Sequence, residues 1–205
     1  MFKKNVITAG KKVAEADKAL IMLHGRGASA EDILTLMPQL NVADFALVAP
    51  QAVGNSWYPN SFLSPPENNE PYLSNALLTI HEIIEEIAGN GISKAQIYFL
   101  GFSQGACLVL EYVTRNAVKY GGVVAFTGGL IGDKIYPQNY RGDFEGTNVF
   151  IGTSDPDPHV PVTRVYASIN ILNEMNAATN VKVYPDMGHT INADEIGIAN
   201  QIIFR

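Results

Sequence analysis

With 205 residues, of which 47% are hydrophobic and 17% charged, the chain has the composition of an ordinary globular protein, and one domain over 1–205 is expected. The formal net charge of −6 and the scarcity of clustered Lys and Arg argue against nucleic acid or an anionic membrane surface as a partner. The lone cysteine, Cys107, excludes an internal disulfide and a cysteine-based metal site, and it suits a cytoplasmic location.

The first residues carry charge but no apolar segment. Lys3 and Lys4 have the charge found at the start of a signal peptide, yet no apolar stretch follows before Gly10. No run along the chain reaches the roughly 18 apolar residues that a membrane-spanning helix requires. We therefore expect no stable membrane insertion.

Runs of β-forming, mostly apolar residues alternate with helical patterns along the whole chain. The predicted strands are residues 5–9, 18–24, 45–49, 96–100, 123–126, 148–151 and 181–184. A helix is predicted after Ser29, which forms a capping box with Asp32, and further helices over 72–88, 106–113, 163–177 and 193–203. This alternation predicts an α/β fold with a mostly parallel sheet, helices on both faces, and a ligand site at the carboxyl ends of the strands.

Residues 51–71 form a long predicted loop, rich in Pro, Asn and Ser. Its apolar members are Trp57, Tyr58, Phe62 and Leu63. Long loops inside compact domains are usually functional or disordered, and aromatic residues argue for a packed one. These side chains form either a small satellite core or a pocket for an acyl or alcohol group. The pocket is favoured because the loop leaves the carboxyl end of a strand.

Gly101-Phe102-Ser103-Gln104-Gly105 joins a predicted strand to a predicted helix. A serine at the apex of such a turn is the arrangement of a nucleophile elbow. Glycine is needed on either side because a Cβ there would collide with the neighbouring strand and helix. The helix that follows points its N–H groups at the serine and favours developing negative charge.

Polar groups that suit nucleophilic catalysis follow three of the predicted strands. They are Ser103, the pair Asp155 and Asp157, and His189, in the chain order of α/β-hydrolases. A serine hydroxyl needs a base at neutral pH, histidine suits that role, and a carboxylate orients the imidazole. Spacing alone leaves the acid open: counting forward from Gly152 favours Asp155, and counting back from 160–161 favours Asp157.

Several motifs occur in a fixed order along the chain. They are Leu-His-Gly-Arg-Gly at 23–27, Ser-Trp-Tyr at 56–58, the elbow at 101–105, Asp-Pro-His-Val-Pro at 157–161 and Gly-His-Thr-Ile at 188–191. Together they resemble the phospholipase/carboxylesterase family of serine esterases, which includes acyl-protein thioesterases, over residues 19–203. The resemblance implies an α/β-hydrolase fold with little or no cap domain. It also implies no cofactor, no metal, and an assembly that is often a homodimer.

The resemblance assigns roles to five residues. Ser103, Asp157 and His189 would form the catalytic triad, because the family pattern sets the acid just before Pro-x-Val-Pro. The backbone N–H groups of Arg26 and Gln104 would form the oxyanion hole. The implied activity is that of a serine carboxylesterase, which hydrolyses small to medium acyl esters or thioesters through an acyl-enzyme.

Other polar residues have a structural interpretation beside a functional one. His24 is expected to hold the glycine-rich loop through hydrogen bonds. Cys107, one turn into the elbow helix, is expected in the core. His159 either touches substrate or is a solvated loop residue. The Arg26 guanidinium either pairs with Asp155 or meets an acidic substrate.

Two further classes of function compete with the esterase. The same triad would serve a lysophospholipase, a sugar-acetyl esterase or a peptidase. A catalytically silent relative that only binds ligand would keep the fold, although every triad member is present here.

Overall fold

A computed structural model describes residues 5–205, so the basic residues Lys3 and Lys4 lie outside the described part. Strands within 5–205 form one seven-stranded sheet in the order β1-β3-β2-β4-β5-β6-β7. Their bounds are β1 Val6–Gly10, β2 Lys18–Leu23, β3 Phe45–Pro50, β4 Ile97–Phe102, β5 Gly122–Phe126, β6 Asn148–Asp155 and β7 Ala178–Pro185. β1 pairs with β3 antiparallel, and the other neighbours are parallel.

Helices cover both faces of this sheet. Their bounds are α1 Ala30–Leu34, α2 Tyr72–Gly89, α3 Gln104–Arg115, α4 Val162–Glu174 and α5 Ala193–Ile202. The apolar sides of α2, α3 and α4 pack on one face, and those of α1 and α5 pack on the other. The predicted α/β fold with a mostly parallel, doubly covered sheet is confirmed.

The central strands are buried because both of their faces meet helices. β3 and β5 are buried at every position, whereas β7 at the sheet edge is buried at none. β7 is therefore less well covered than the central strands. An edge strand has one free side, and its polar residues, such as Asn180 and Lys182, face water.

Several helix boundaries differ from the predicted ones, most of all in α3 and α4. The elbow helix begins earlier, at Gln104, because the serine before it already turns the chain. The fourth helix ends at Glu174 rather than at residue 177. Asn176 has a φ of 61°, a left-handed conformation that stops an α-helix, and Asn tolerates it better than most residues.

The parallel strands aim their carboxyl ends at one edge of the sheet. Ser103 follows β4, Asp157 follows β6 and His189 follows β7. No helix within 5–205 is both long and apolar enough to cross a membrane.

Candidate active site

The turn at Ser103 is tight because two glycines allow close packing. Ser103 has φ 53° and ψ −118°, a strained conformation for a residue with a Cβ. A Cβ on Gly101 would lie 2.5 Å from the carbonyl oxygen of Gly105, and one on Gly105 would overlap the carbonyl oxygen of Leu23. The backbone itself therefore holds the serine at the apex of the elbow.

The structure brings Ser103, His189 and Asp157 into one hydrogen-bonded chain. The Oγ of Ser103 lies 2.7 Å from Nε2 of His189, and Nδ1 of the same ring lies 2.9 Å from Oδ2 of Asp157. Since the ionised carboxylate only accepts, Nδ1 carries the proton and Nε2 is free to accept from the serine hydroxyl. This arrangement can take a proton from Ser103.

The Asp157 carboxylate is buried and accepts three hydrogen bonds. Its Oδ1 accepts the backbone N–H groups of His159 and Val160, each at 2.8 Å. Burial opposes ionisation, but the hydrogen bonds from these two N–H groups and from the His189 ring outweigh it and lower the pKa of Asp157. The side chain of Asp155, by contrast, is exposed. The structure thus places Asp157, and not Asp155, against the imidazole.

The His189 ring contacts two other rings. Phe102 lies on one side, with ring centroids 5.2 Å apart, and His159 meets it edge-on at 4.8 Å. The ring contact of Phe102 was not foreseen from the sequence, where this residue is only the variable position of the elbow motif. His159 is exposed and lines the cleft beside Ser103, and its contact with substrate remains a prediction.

Ser154 joins the loop that carries the acid to the loop that carries the imidazole. Its buried Oγ donates to the carbonyl of Pro156 and accepts the N–H of Gly188, both at 3.0 Å. Gly188 is the neighbour of His189, so this hydroxyl couples the two loops. The sequence does not single out Ser154, because a serine at the end of a strand carries no distinctive local signal.

Two backbone N–H groups, those of Arg26 and Gln104, are predicted to form an oxyanion hole. The N–H of Gln104 opens α3 directly after Ser103. Arg26 follows Gly25, where an added Cβ would come within 3.5 Å of the Ser103 Cβ, so this loop runs beside the serine. The assignment of Arg26 and Gln104 to the oxyanion hole remains a prediction.

The side chain of Gln104 binds the long loop of residues 51–71, here called the aromatic loop, a role that the sequence did not suggest. Its Nε2 donates to the carbonyl of Tyr58 at 2.8 Å, and its Oε1 accepts the N–H of Trp57 at 3.0 Å. The Trp57 indole in turn donates to the carbonyl of His24 at 2.9 Å. The elbow, the loop after β2 and the aromatic loop are thereby joined through buried hydrogen bonds.

A cleft of about 560 Å³ opens beside Ser103 and His189. Its walls include Tyr58, Phe62, Leu63, His159 and Val160. Tyr58 and Phe62 also belong to the hydrophobic core, so each packs in the core on one side and lines the cleft on the other.

Trp57 differs from the other aromatic residues of its loop. It is 5% exposed, packs in the core and faces a neighbouring cavity rather than the Ser103 cleft. Its indole is instead used to bind the loop after β2, as described above. The structure therefore does not place Trp57 with the other predicted substrate-binding residues.

The Arg26 guanidinium binds the aromatic loop rather than Asp155. Nη1 donates to the carbonyl of Pro59 at 2.8 Å and Nη2 to that of Asn60 at 2.6 Å. Its centre lies 6.0 Å from the centroid of the Tyr58 ring. No ion pair with Asp155 forms within the described residues.

Two residues with a structural interpretation are buried as expected. His24 accepts the N–H of Ala52 at Nε2 and donates from Nδ1 to the carbonyl of Gly25, and burial lowers its pKa. Burial raises the pKa of the Cys107 thiol to about 12, so it is not a nucleophile at neutral pH. Within residues 5–205, no cluster of three or more His, Cys, Asp or Glu could hold a metal ion.

Similarity to known proteins agrees with this geometry. Residues 3–204 match the family described as Phospholipase/Carboxylesterase. Among curated proteins, "Probable carboxylesterase SOBER1-like" of Arabidopsis thaliana is 26% identical, over 86% of this chain and 74% of its own length. Acyl-protein thioesterase 1 of Saccharomyces cerevisiae is 32% identical, over 60% of this chain, which spans only 55% of that relative.

Solved structures show the same likeness. A phospholipase/carboxylesterase from Dyadobacter fermentans DSM 18053 is 54% identical with a TM-score of 0.98, over 100% of this chain and 99% of its own. Esterase PE8, at 22% identity and a TM-score of 0.80, covers 98% and 97% and shares the fold. This chain therefore belongs to the phospholipase/carboxylesterase family and is a carboxylic ester hydrolase of the α/β-hydrolase fold.

Proposed function

We propose that the protein is a serine carboxylesterase that cleaves small to medium acyl esters or thioesters through an acyl-enzyme. One observation carries the proposal: the unbroken hydrogen-bonded chain from Ser103 through His189 to Asp157, with contacts of 2.7 and 2.9 Å. The same hydrogen-bonded arrangement of serine, histidine and aspartate performs acyl transfer on unrelated folds, although the chain order of the three residues differs there. A protein that only binds ligand would have no need of a base so placed.

In the proposed reaction, Nε2 of His189 takes the proton of Ser103 as Oγ attacks the substrate carbonyl. Asp157 holds the ring tautomer and stabilises the imidazolium that forms. The N–H groups of Arg26 and Gln104 stabilise the tetrahedral oxyanion. Each such donor typically stabilises the transition state by about 3 kcal/mol. His189 then protonates the leaving alcohol or thiol, and water hydrolyses the acyl-enzyme by the same steps.

The cleft supports substrates with a modest apolar group. Tyr58, Phe62, Leu63 and Val160 supply an apolar wall beside the serine, and about 560 Å³ is room for a small or medium ligand rather than a polymer. Both carboxylesterases and acyl-protein thioesterases occur among the relatives, so the leaving group is an alcohol or a thiol. The cytoplasmic location and the homodimer remain predictions from the sequence.

The test combines labelling with turnover. A fluorophosphonate probe should label wild-type protein at Ser103, and a panel of p-nitrophenyl esters and acyl thioesters of graded length should be hydrolysed. Ser103→Ala should abolish both labelling and turnover because the nucleophile is gone. Turnover that persists in Ser103→Ala, or a wild-type protein that neither reacts nor hydrolyses, would overturn the proposal.

A further inference from the structure

The Ser103 cleft has a charge character opposite to that of the chain. The protein carries a formal net charge of −6, yet the residues that line the cleft include no Asp or Glu among the described ones. They include one permanent cation, Arg26, and two histidines, His159 and His189. The carboxylate behind them, that of Asp157, is buried and already accepts three hydrogen bonds.

The guanidinium at this cleft retains free donors. An arginine has five N–H groups, and Arg26 uses one on Pro59 and one on Asn60. Both partners are neutral carbonyl oxygens, so its charge is not neutralised by them. The side chain is exposed at the rim of the cleft, where a ligand can reach the remaining donors.

The two carbonyl bonds also fix where the cation stands. They tie Arg26 to the loop after Tyr58, and that loop is anchored in turn by Asn69, which accepts the Asn60 N–H at 2.8 Å and donates to the Ser61 carbonyl. Asn69 is fully buried. A planar guanidinium held in place loses less entropy when it binds an anionic oxygen.

We infer that the preferred ester carries an anionic group, a carboxylate or a phosphate, and that the Arg26 side chain binds it. The inference rests on the proposed esterase and names the class of its substrate. The apolar wall would hold the carbon chain between the ester and the anion, while Arg26 meets the anion at the rim. Carboxylate and phosphate oxygens are the ligands that match the donor geometry of arginine.

A matched set of methyl esters tests this inference. Monomethyl adipate and methyl hexanoate have the same carbon chain, but only the first ends in a carboxylate. At low salt, we expect kcat/KM for monomethyl adipate to exceed that for methyl hexanoate at least tenfold, as a charge-assisted hydrogen bond can provide. The phosphate monoester of methyl 6-hydroxyhexanoate places phosphate at the same end, and the larger preference identifies the anion.

The decisive readout is the ratio of the two kcat/KM values. Arg26→Met should reduce that ratio at least tenfold, Arg26→Lys should retain part of it, and added salt should lower it. Asn69→Ala is the matched control, because it disturbs the same loop without removing the cation. It should lower both kcat/KM values and reduce the ratio less than Arg26→Met does, because the cation is kept but is held less firmly.

The possible failures are distinguishable. If both esters are hydrolysed but the wild-type ratio for each anion is one or less, or Arg26→Met leaves it unchanged, the inference is overturned and the esterase stands. A ratio that collapses equally in Asn69→Ala also overturns it, since the loop and not the cation would then set the preference. If no ester is hydrolysed and Ser103 is not labelled, the proposed function fails and the inference with it.

Discussion

The elbow and the two loops that follow β6 and β7, here called the edge loops, place their functional groups in different ways. Ser103 sits between the buried strand β4 and the buried start of α3, and its position follows from backbone packing around two glycines. Asp157 and His189 follow β6 and the exposed edge strand β7. Their loops are held by side-chain hydrogen bonds, among them the Ser154 hydroxyl.

This difference has a physical consequence for catalysis. Close backbone packing is stiff, so the proposed nucleophile, Ser103, has little freedom to move. Hydrogen bonds between loops each contribute about 1 kcal/mol, so the positions of His189 and Asp157, the proposed base and acid, depend on several weak contacts acting together. A substitution that disturbs elbow packing should therefore cause a large loss of activity and stability. A substitution in the edge loops should cause a smaller loss, unless it changes Asp157 or His189.

The largest expected effect separates the two aspartates of the β6 loop. Asp157→Asn removes the charge that fixes the His189 tautomer, and we expect kcat to fall about 10⁴-fold. Asp155→Asn is the matched control, because its side chain is exposed and lies outside the triad network; kcat should change less than about twofold. Ester hydrolysis kinetics decide the matter, and the opposite ranking would show that the acid is Asp155.

The next effect tests the stiffness of the elbow. Gly105→Ala drives a Cβ into the Leu23 carbonyl, so we expect about 4 kcal/mol less free energy of unfolding and at least about a 100-fold loss of kcat. Gly197→Ala in α5 is the control, since no atom lies within 4 Å of that Cβ; it should stabilise by about 0.5 to 1 kcal/mol. Urea unfolding and kinetics measure both. Equal effects of the two substitutions would contradict the packing argument.

A pH-dependent effect comes from the helix that follows His189. Glu195 is fully buried; its Oε2 accepts the Asn192 N–H, and Oε1 has no partner among the described residues. Burial raises the pKa of Glu195 from 4.5 to about 7. Between pH 4.5 and 7 the folded state therefore keeps a proton that the unfolded chain releases. The contribution of this proton to the free energy of unfolding is complete below pH 4.5 and decreases as the pH rises towards 7.

Glu195→Gln removes that titration and keeps an acceptor for the cap of α5. Between pH 4.5 and 7.5, the wild type should lose about 3 kcal/mol more unfolding free energy than Glu195→Gln does. Urea unfolding at the two pH values measures this difference. Parallel pH profiles for the two proteins would show that the carboxyl is ionised in the folded state.

The smallest effect tests the coupling between the edge loops. Ser154→Ala should lower kcat about tenfold and unfolding free energy by about 1.5 kcal/mol, because the Gly188 N–H loses its acceptor. Thr153→Val, at the preceding position, is the control: its buried hydroxyl has no partner among the described residues, so stability should hold or rise. A Ser154→Ala enzyme with unchanged kcat would mean that the two loops are not coupled through this hydroxyl.

Much of the fold was predictable because its signals are local. Apolar runs and helical periodicity set the strand and helix order, and Ser29 with Asp32 forms the capping box that the sequence indicates. The elbow was equally predictable, since its two glycines and its serine lie within five consecutive residues. Helix ends were less accurate, because the left-handed conformation at Asn176 has no strong signature in the sequence.

The sequence by itself determined the α/β fold, the elbow serine and the short list of polar groups that follow strands, because short-range sterics and periodicity encode them. Only the tertiary structure decided that Asp157 rather than Asp155 meets His189, that Trp57 packs away from the cleft, and that Arg26 binds loop carbonyls. Each of these depends on contacts between residues that lie 32 to 47 positions apart in the chain. Such contacts form only when the sheet brings its strand ends together, and no local pattern specifies them.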